Sequence, residues 1–172
     1  MIVGIDIGAA GALALVSPQG ELVEVADMPI LRDGPKGRPT VNGPLLADLL
    51  RRWGPTCAYV EFVGSRPGEG PAGAFAFGRS RGMVEGALAT LGIPATMLTP
   101  PTWKRAVGIP PGRDGAKDAA RSEAIRRWPR QASAFQRVKD DGRAEAALIA
   151  VAGIARAGRS CGADAGFSPD LA

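Results

Sequence analysis

The sequence predicts an α/β fold with a five-stranded mixed sheet, three antiparallel strands followed by parallel ones, flanked by helices. Three observations lead there. The first 26 residues hold short apolar runs broken by turn-forming clusters, the pattern of an antiparallel meander. From residue 43 onward helical and strand-like periodicities alternate, which calls for right-handed crossovers and parallel strands. The 172 residues, 45% of them apolar, suit one domain with a full core.

Residues 2–7 and 12–17 are the first two strands, separated by GAAG, and Glu21 to Ala26 is the third, after the turn SPQG at Ser17 to Gly20. Met28 to Pro44 is rich in proline, glycine and charge and reads as a loop, most open over DGPKGRP. In GPLLADLLRRW, residues 43–53, Leu45, Leu46, Leu49 and Leu50 fall at helical spacing, with Pro44 suited to the first turn and Gly54 to the stop. CAYVEFV, residues 57–63, is a buried strand interrupted only by Glu61. A strand-helix-strand crossover places it beside the first strand and parallel to it.

GSRPGEGPAG, residues 64–73, is a loop, and a helix follows from about Ala74 to Leu91. Phe75 and Phe77 open that helix; core packing is favoured for them over base stacking, and two residues apart they cannot share one helical face, so exposure of at least one is allowed. PATMLTP, residues 94–100, is a short fifth strand closed by prolines. DDGRAEAALIAVAGIARAG, residues 140–158, runs into an alanine-rich helix. Residues 1–158 are expected to form the domain and 159–172 a flexible C-terminal tail.

Charge is unevenly spread. The chain carries a net +4, but Thr99 to Lys139 alone holds ten lysines and arginines against Asp114, Asp118 and Glu123, which leaves the remainder net negative. Such segregation fits a polyanionic partner better than the total does. Lys104, Arg105, Arg113, Lys117 and Arg121 within this segment, and Arg66, Arg79 and Arg81 beside the loop after Glu61, are the candidates for phosphate contact.

Histidine is absent, which removes imidazole as a general base and as a metal ligand and argues against a zinc site. Cys57 and Cys161 lie far apart and suggest neither a disulfide framework nor a metal knuckle, which fits a reducing cytosol. No apolar run approaches a membrane span and no signal-type leader opens the chain, so a cytoplasmic protein with no membrane partner is expected.

The remaining signal is a set of acids in apolar surroundings. Asp6 sits inside MIVGIDIGAAGALALV, where an ionised, unpaired carboxylate would cost several kcal/mol of desolvation. It reads equally as a turn cap through Gly8 and Gly11. Glu61 interrupts the other strand expected at the sheet's centre, near the same edge. Asp141 and Glu145 lie four residues apart on one face of the last helix. Helix capping accounts for Asp141, with Asp140 as a competing cap, but it accounts less well for Glu145 in AEAALIAVAGIA. Carboxylates without histidine favour a hard cation, magnesium or manganese.

Taken in order, GIDIGAAGALALV, YVEFV, FGRSRGMVEGAL, TPPTWKRAVGIPPGRDGAKDAA and DDGRAEAALIA resemble the ribonuclease H-like superfamily, and within it the phage-type RuvC-like Holliday junction resolvases. The resemblance spans most of residues 1–152. The start DxGxxGA also resembles the phosphate loop of actin-like ATPases and sugar kinases, but those need two such domains and 172 residues have room for one.

The RuvC-like resemblance implies an endonuclease selective for four-way junctions or other branched DNA, acting as a homodimer. It implies Mg2+ (or Mn2+), two ions per site, held by Asp6, Glu61, Asp141 and Glu145, with Lys104 and Lys117 near the scissile phosphate. Family members often space the last two acids by three residues, and here Gly142 stands in that place, so Asp140 is an alternative to Asp141. The loop after Glu61 lacks the aromatic that cellular resolvases push into the junction, which allows broader selectivity for flaps and other branches. A DNA-binding protein of this fold without cleavage, or a nucleotide-binding module built on GIDIGAAG, would be the readings from other classes.

Overall fold

Strand alternation in the N-terminal run sets the layers of the computed structural model, which describes residues 1–32, 39–64, 70–110 and 116–163. In β1 (Ile2–Asp6), Val3 and Ile5 turn to one side of the sheet, and Gly4 and Asp6 to the other. The sheet has the order β3 (Leu22–Asp27), β2 (Ala12–Val16), β1, β6 (Cys57–Glu61), β7 (Ala95–Leu98). β1 pairs antiparallel with β2, and β2 with β3, whereas β6 runs parallel to both β1 and β7. This is the mixed five-stranded sheet the sequence predicts.

The Val3 and Ile5 side is covered by α1 (Gly43–Trp53) and α2 (Pro71–Thr90). The opposite side is covered by α5 (Asp141–Ala163), with α3 (Pro100–Ala106) and α4 (Ala116–Arg127) packed beside it. Two 3-10 segments, Pro129–Phe135 and Val138–Asp140, lead into α5. The α5 layer holds Trp103, Phe135, Leu148 and Ile149, all fully buried. Each such side chain contributes about 1.5–3 kcal/mol of burial free energy.

Helix α5 lies unusually close to β1 because of Gly4. A Cβ there would strike the Ala146 carbonyl and come within 2.7 Å of the Ala150 nitrogen. Gly153, two turns on, leaves room in the same way for the Tyr59 ring of β6. The glycines bring a helix backbone down onto the two central strands, and so fix where the start of α5 falls relative to their ends.

Some elements differ from expectation. The stretch Met28 to Pro44 contains a small antiparallel ribbon, β4 (Ile30–Leu31) with β5 (Thr40–Val41), favoured by its β-branched residues. Residues 33–38 lie outside the described residues. In α1 the buried set is Leu46, Leu49, Leu50 and Trp53, while Leu45 is exposed: it sits in the first turn, where Asn42 caps the helix by accepting from the Leu45 N–H. α2 begins three residues early, at Pro71, a residue pre-shaped for a helix's first turn. Phe77 packs against the core and Phe75 is exposed. α5 runs to Ala163, so the first five residues of the expected tail are helical, and 164–172 lie outside the described residues. No described helix is long and apolar enough to cross a membrane.

Candidate metal centre

The parallel register that pairs Ile5 with Val60 brings Asp6 and Glu61, the last residues of their strands, side by side. Glu61 shares its side of β6 with Tyr59, and both face α5. Behind Asp6 the chain folds tightly. The Gly11 N–H donates to the Gly8 carbonyl at 3.1 Å, Gly8 takes φ 138°, and a Cβ on Gly11 would strike the Asp6 carbonyl. The GAAG turn is thus a packing requirement of the strand end that carries the acid.

The third acid arrives from α5. Glu145 lies one turn into that helix, and one carboxylate oxygen from each of Asp6, Glu61 and Glu145 falls within 4.8 Å of the others. At that separation each ionised pair repels by about 3 kcal/mol at an effective dielectric near 20. A divalent cation reverses the sign of that term, and three hard oxygen donors suit magnesium or manganese. The donor set therefore fits such an ion.

Glu61 is oriented from the side. The Trp103 Nε1–H of α3 donates to Glu61 Oε1 at 2.9 Å, and the indole itself is fully buried. Lys104 Nζ lies 5.2 Å from the centroid of the same indole, which places a cation over the ring whose N–H holds Glu61. Beyond it, Pro100, Lys104, Arg105 and Pro110 border an open cleft of about 500 Å³.

No family model and no curated protein matches the sequence. Solved structures do. A structure described as Thermus thermophilus RuvC in complex with Holliday junction substrate superposes with a TM-score of 0.63 at 18% identity, covering 92% of this chain and 94% of that one. A second Thermus thermophilus RuvC structure gives 0.62 at 18% identity, covering 92% and 96%. The fold is that of RuvC.

On this RuvC fold the other predicted site residues fall in different places. Asp141 is the first residue of α5 and accepts from the Gly142 N–H at 3.1 Å; it is not one of the three acids that converge within 4.8 Å. Asp140, the alternative, is engaged elsewhere. It is 1% exposed, and Arg137 clasps it through backbone and guanidinium donors at 2.8–3.1 Å. Those Arg137 hydrogen bonds hold its carboxyl below the usual range. Arg143 completes the network, 4.0 Å from Asp140 and bonded to Asp27 of β3 at 2.5 and 2.8 Å.

Among the candidate phosphate contacts, Arg105 is exposed beside Lys104. Arg81 bonds Glu85 at 2.6 Å and lies over the Phe62 ring, and Arg79 is exposed on the same helix. The Arg121 side chain is 15% exposed, paired with Asp118 and donating to the Gln136 carbonyl, which ties α4 to the 3-10 turn. Arg66 and Arg113 lie outside the described residues, as does the side chain of Lys117 in the first turn of α4.

Sequence reasoning passed over Trp103, although its position inside the most basic segment was a signal: a buried indole requires a partner for its N–H. It also passed over Arg143 and Asp27, whose pairing across 116 residues has no local pattern, and Arg137, which holds Asp140 three residues on.

Proposed function

We propose that the protein is a structure-selective endonuclease, a crossover junction endodeoxyribonuclease that cleaves Holliday junctions or related branched DNA by two-metal-ion hydrolysis. The observation that carries this is the convergence of Asp6, Glu61 and Glu145 from two strand ends and a helix onto one point. The RuvC fold, found with a Holliday junction in the Thermus protein, supports the substrate class. Magnesium or manganese ions, when bound, supply Lewis-acid activation of water and stabilisation of the departing 3′ oxygen.

The chain's own residues divide the remaining work. Asp6, Glu61 and Glu145 hold the ions, and Asp141 joins them from the first turn of α5 as a fourth oxygen ligand. Lys104 and Lys117 counter charge at the scissile phosphate, and Arg66, Arg79, Arg81, Arg105 and Arg113 meet the backbone on either side. A homodimer places two such sites about a two-fold axis, as symmetric cutting of a four-way junction requires. The protein acts in the cytoplasm.

The test is incubation with labelled four-way junction, flap and linear duplex in Mg2+. Paired nicks in the junction with intact duplex are expected. Equal cutting of duplex would overturn the reading, and salt-sensitive binding without any cleavage would leave a DNA-binding protein of this fold. Because GSRPGEGPAG, residues 64–73, contains no aromatic residue, cutting of flaps alongside junctions is the expected pattern of selectivity.

A further inference from the structure

We infer that Trp103 is the positioning residue of the metal centre: its indole N–H sets the Glu61 carboxylate in the orientation that receives a divalent cation. The inference rests on the proposed metal-dependent function and adds to it a residue outside the carboxylate set. Three observations support it.

The first is the hydrogen bond, 2.9 Å from Trp103 Nε1 to Glu61 Oε1. An indole N–H is a donor only and carries no charge. It can therefore fix the carboxylate without neutralising it, whereas an arginine in the same place would compete with the cation for the negative charge. The oxygen it binds keeps lone pairs, and the second oxygen remains available to an ion.

The second is rigidity. Trp103 is 0% exposed in the layer between α3 and α5, and its backbone N–H bonds the Thr99 carbonyl at 3.1 Å at the start of α3. The donor is thus held by packing. A free glutamate must lose the freedom of several side-chain torsions when it captures an ion, and a donor already in place removes most of that loss before the ion arrives.

The third is that the same indole also meets Lys104, whose Nζ lies 5.2 Å from the ring centroid. The edge of Trp103 serves the acid and its face serves the cation, so a single buried side chain sets the spacing between the metal ligand and the lysine.

Trp103→Phe keeps an aromatic face for Lys104 and removes the donor together with part of the buried ring, so the resonance measurement below isolates the hydrogen bond. Mn2+ titration of the full chain, followed by the electron paramagnetic resonance of free Mn2+, is expected to show binding about tenfold weaker in the variant. In the wild type, the Trp103 indole N–H resonance is expected to move with Mg2+ in step with binding. Wild-type affinity in a folded Trp103→Phe overturns the inference, as does a stationary resonance while Mg2+ binds. The resonance decides alone if the variant does not fold. Failure of the wild type to bind either ion overturns the metal-centre reading, and this inference with it.

Discussion

Gly142 lies against Asp6: a Cβ at position 142 would come 3.0 Å from Asp6 Oδ2 and 2.8 Å from the Ala10 carbonyl oxygen. The start of α5 is therefore pressed onto the turn that carries the first acid. An alanine in a helix is ordinarily worth up to about 1 kcal/mol over glycine. Here the contact includes a backbone oxygen, and overpacking of this kind costs about 1–3 kcal/mol. Gly142→Ala is expected to lower stability in urea denaturation and to weaken Mn2+ binding by displacing Asp6. A variant as stable as the wild type would show that the turn yields freely.

The three converging carboxylates predict a shared response to metal. Mg2+ is expected to raise the melting temperature of the wild type, since it binds only the folded cluster. Asp6→Asn, Glu61→Gln and Glu145→Gln should each shrink that rise and cut junction cleavage by about a hundredfold or more. Junction binding in metal-free buffer should survive, because each variant removes a negative charge next to a phosphate. Retained cleavage in any one of them would remove that residue from the centre.

Gly4→Ala tests the route by which α5 reaches the site. The added methyl would meet the Ala146 carbonyl, the Ala150 nitrogen and the Ala150 Cβ, two of them backbone atoms. The helix must lift off β1, and Glu145 with it. A loss of about 3 kcal/mol or more is expected, larger than for Gly142→Ala, together with loss of the Mg2+ response. Thermal denaturation with and without Mg2+ measures both.

Much of this arrangement is legible in the sequence, and the reasons are physical. Asp6 and Glu61 stand out because each interrupts a run that should be wholly buried, and strand parity then places both on the α5 side. Glu145 stands out in the same way against alanines. Asp141 and Asp140 could not be told apart, because two adjacent acids at a helix start are equally good caps. Only the partner decides, and Arg137 claims Asp140. The arginines were the least legible, since charge pattern does not distinguish a guanidinium facing solvent from one like Arg121, turned inward onto a carbonyl.

Acid should loosen the start of α5 before the rest of the core. Asp27 is held below the usual carboxylate range by its hydrogen bonds from Arg143, and Asp140 by those from Arg137. Each therefore binds its proton less readily in the folded chain than in the unfolded one. Their contribution is complete above the unfolded values, about pH 4, and is lost as pH falls through the lower folded values. Asp27 is largely exposed, so screening limits Asp27→Asn to a loss of about 0.5–1 kcal/mol at pH 7. That difference from wild type should close below about pH 4 and shrink in high salt, as read from urea midpoints. Because the Asp27–Arg143–Asp140–Arg137 chain anchors the turn bearing Asp141 and leading to Glu145, Asp27→Asn should also weaken Mn2+ binding at pH 7. An unchanged Mn2+ affinity would confine the network to folding and remove it from the shaping of the site.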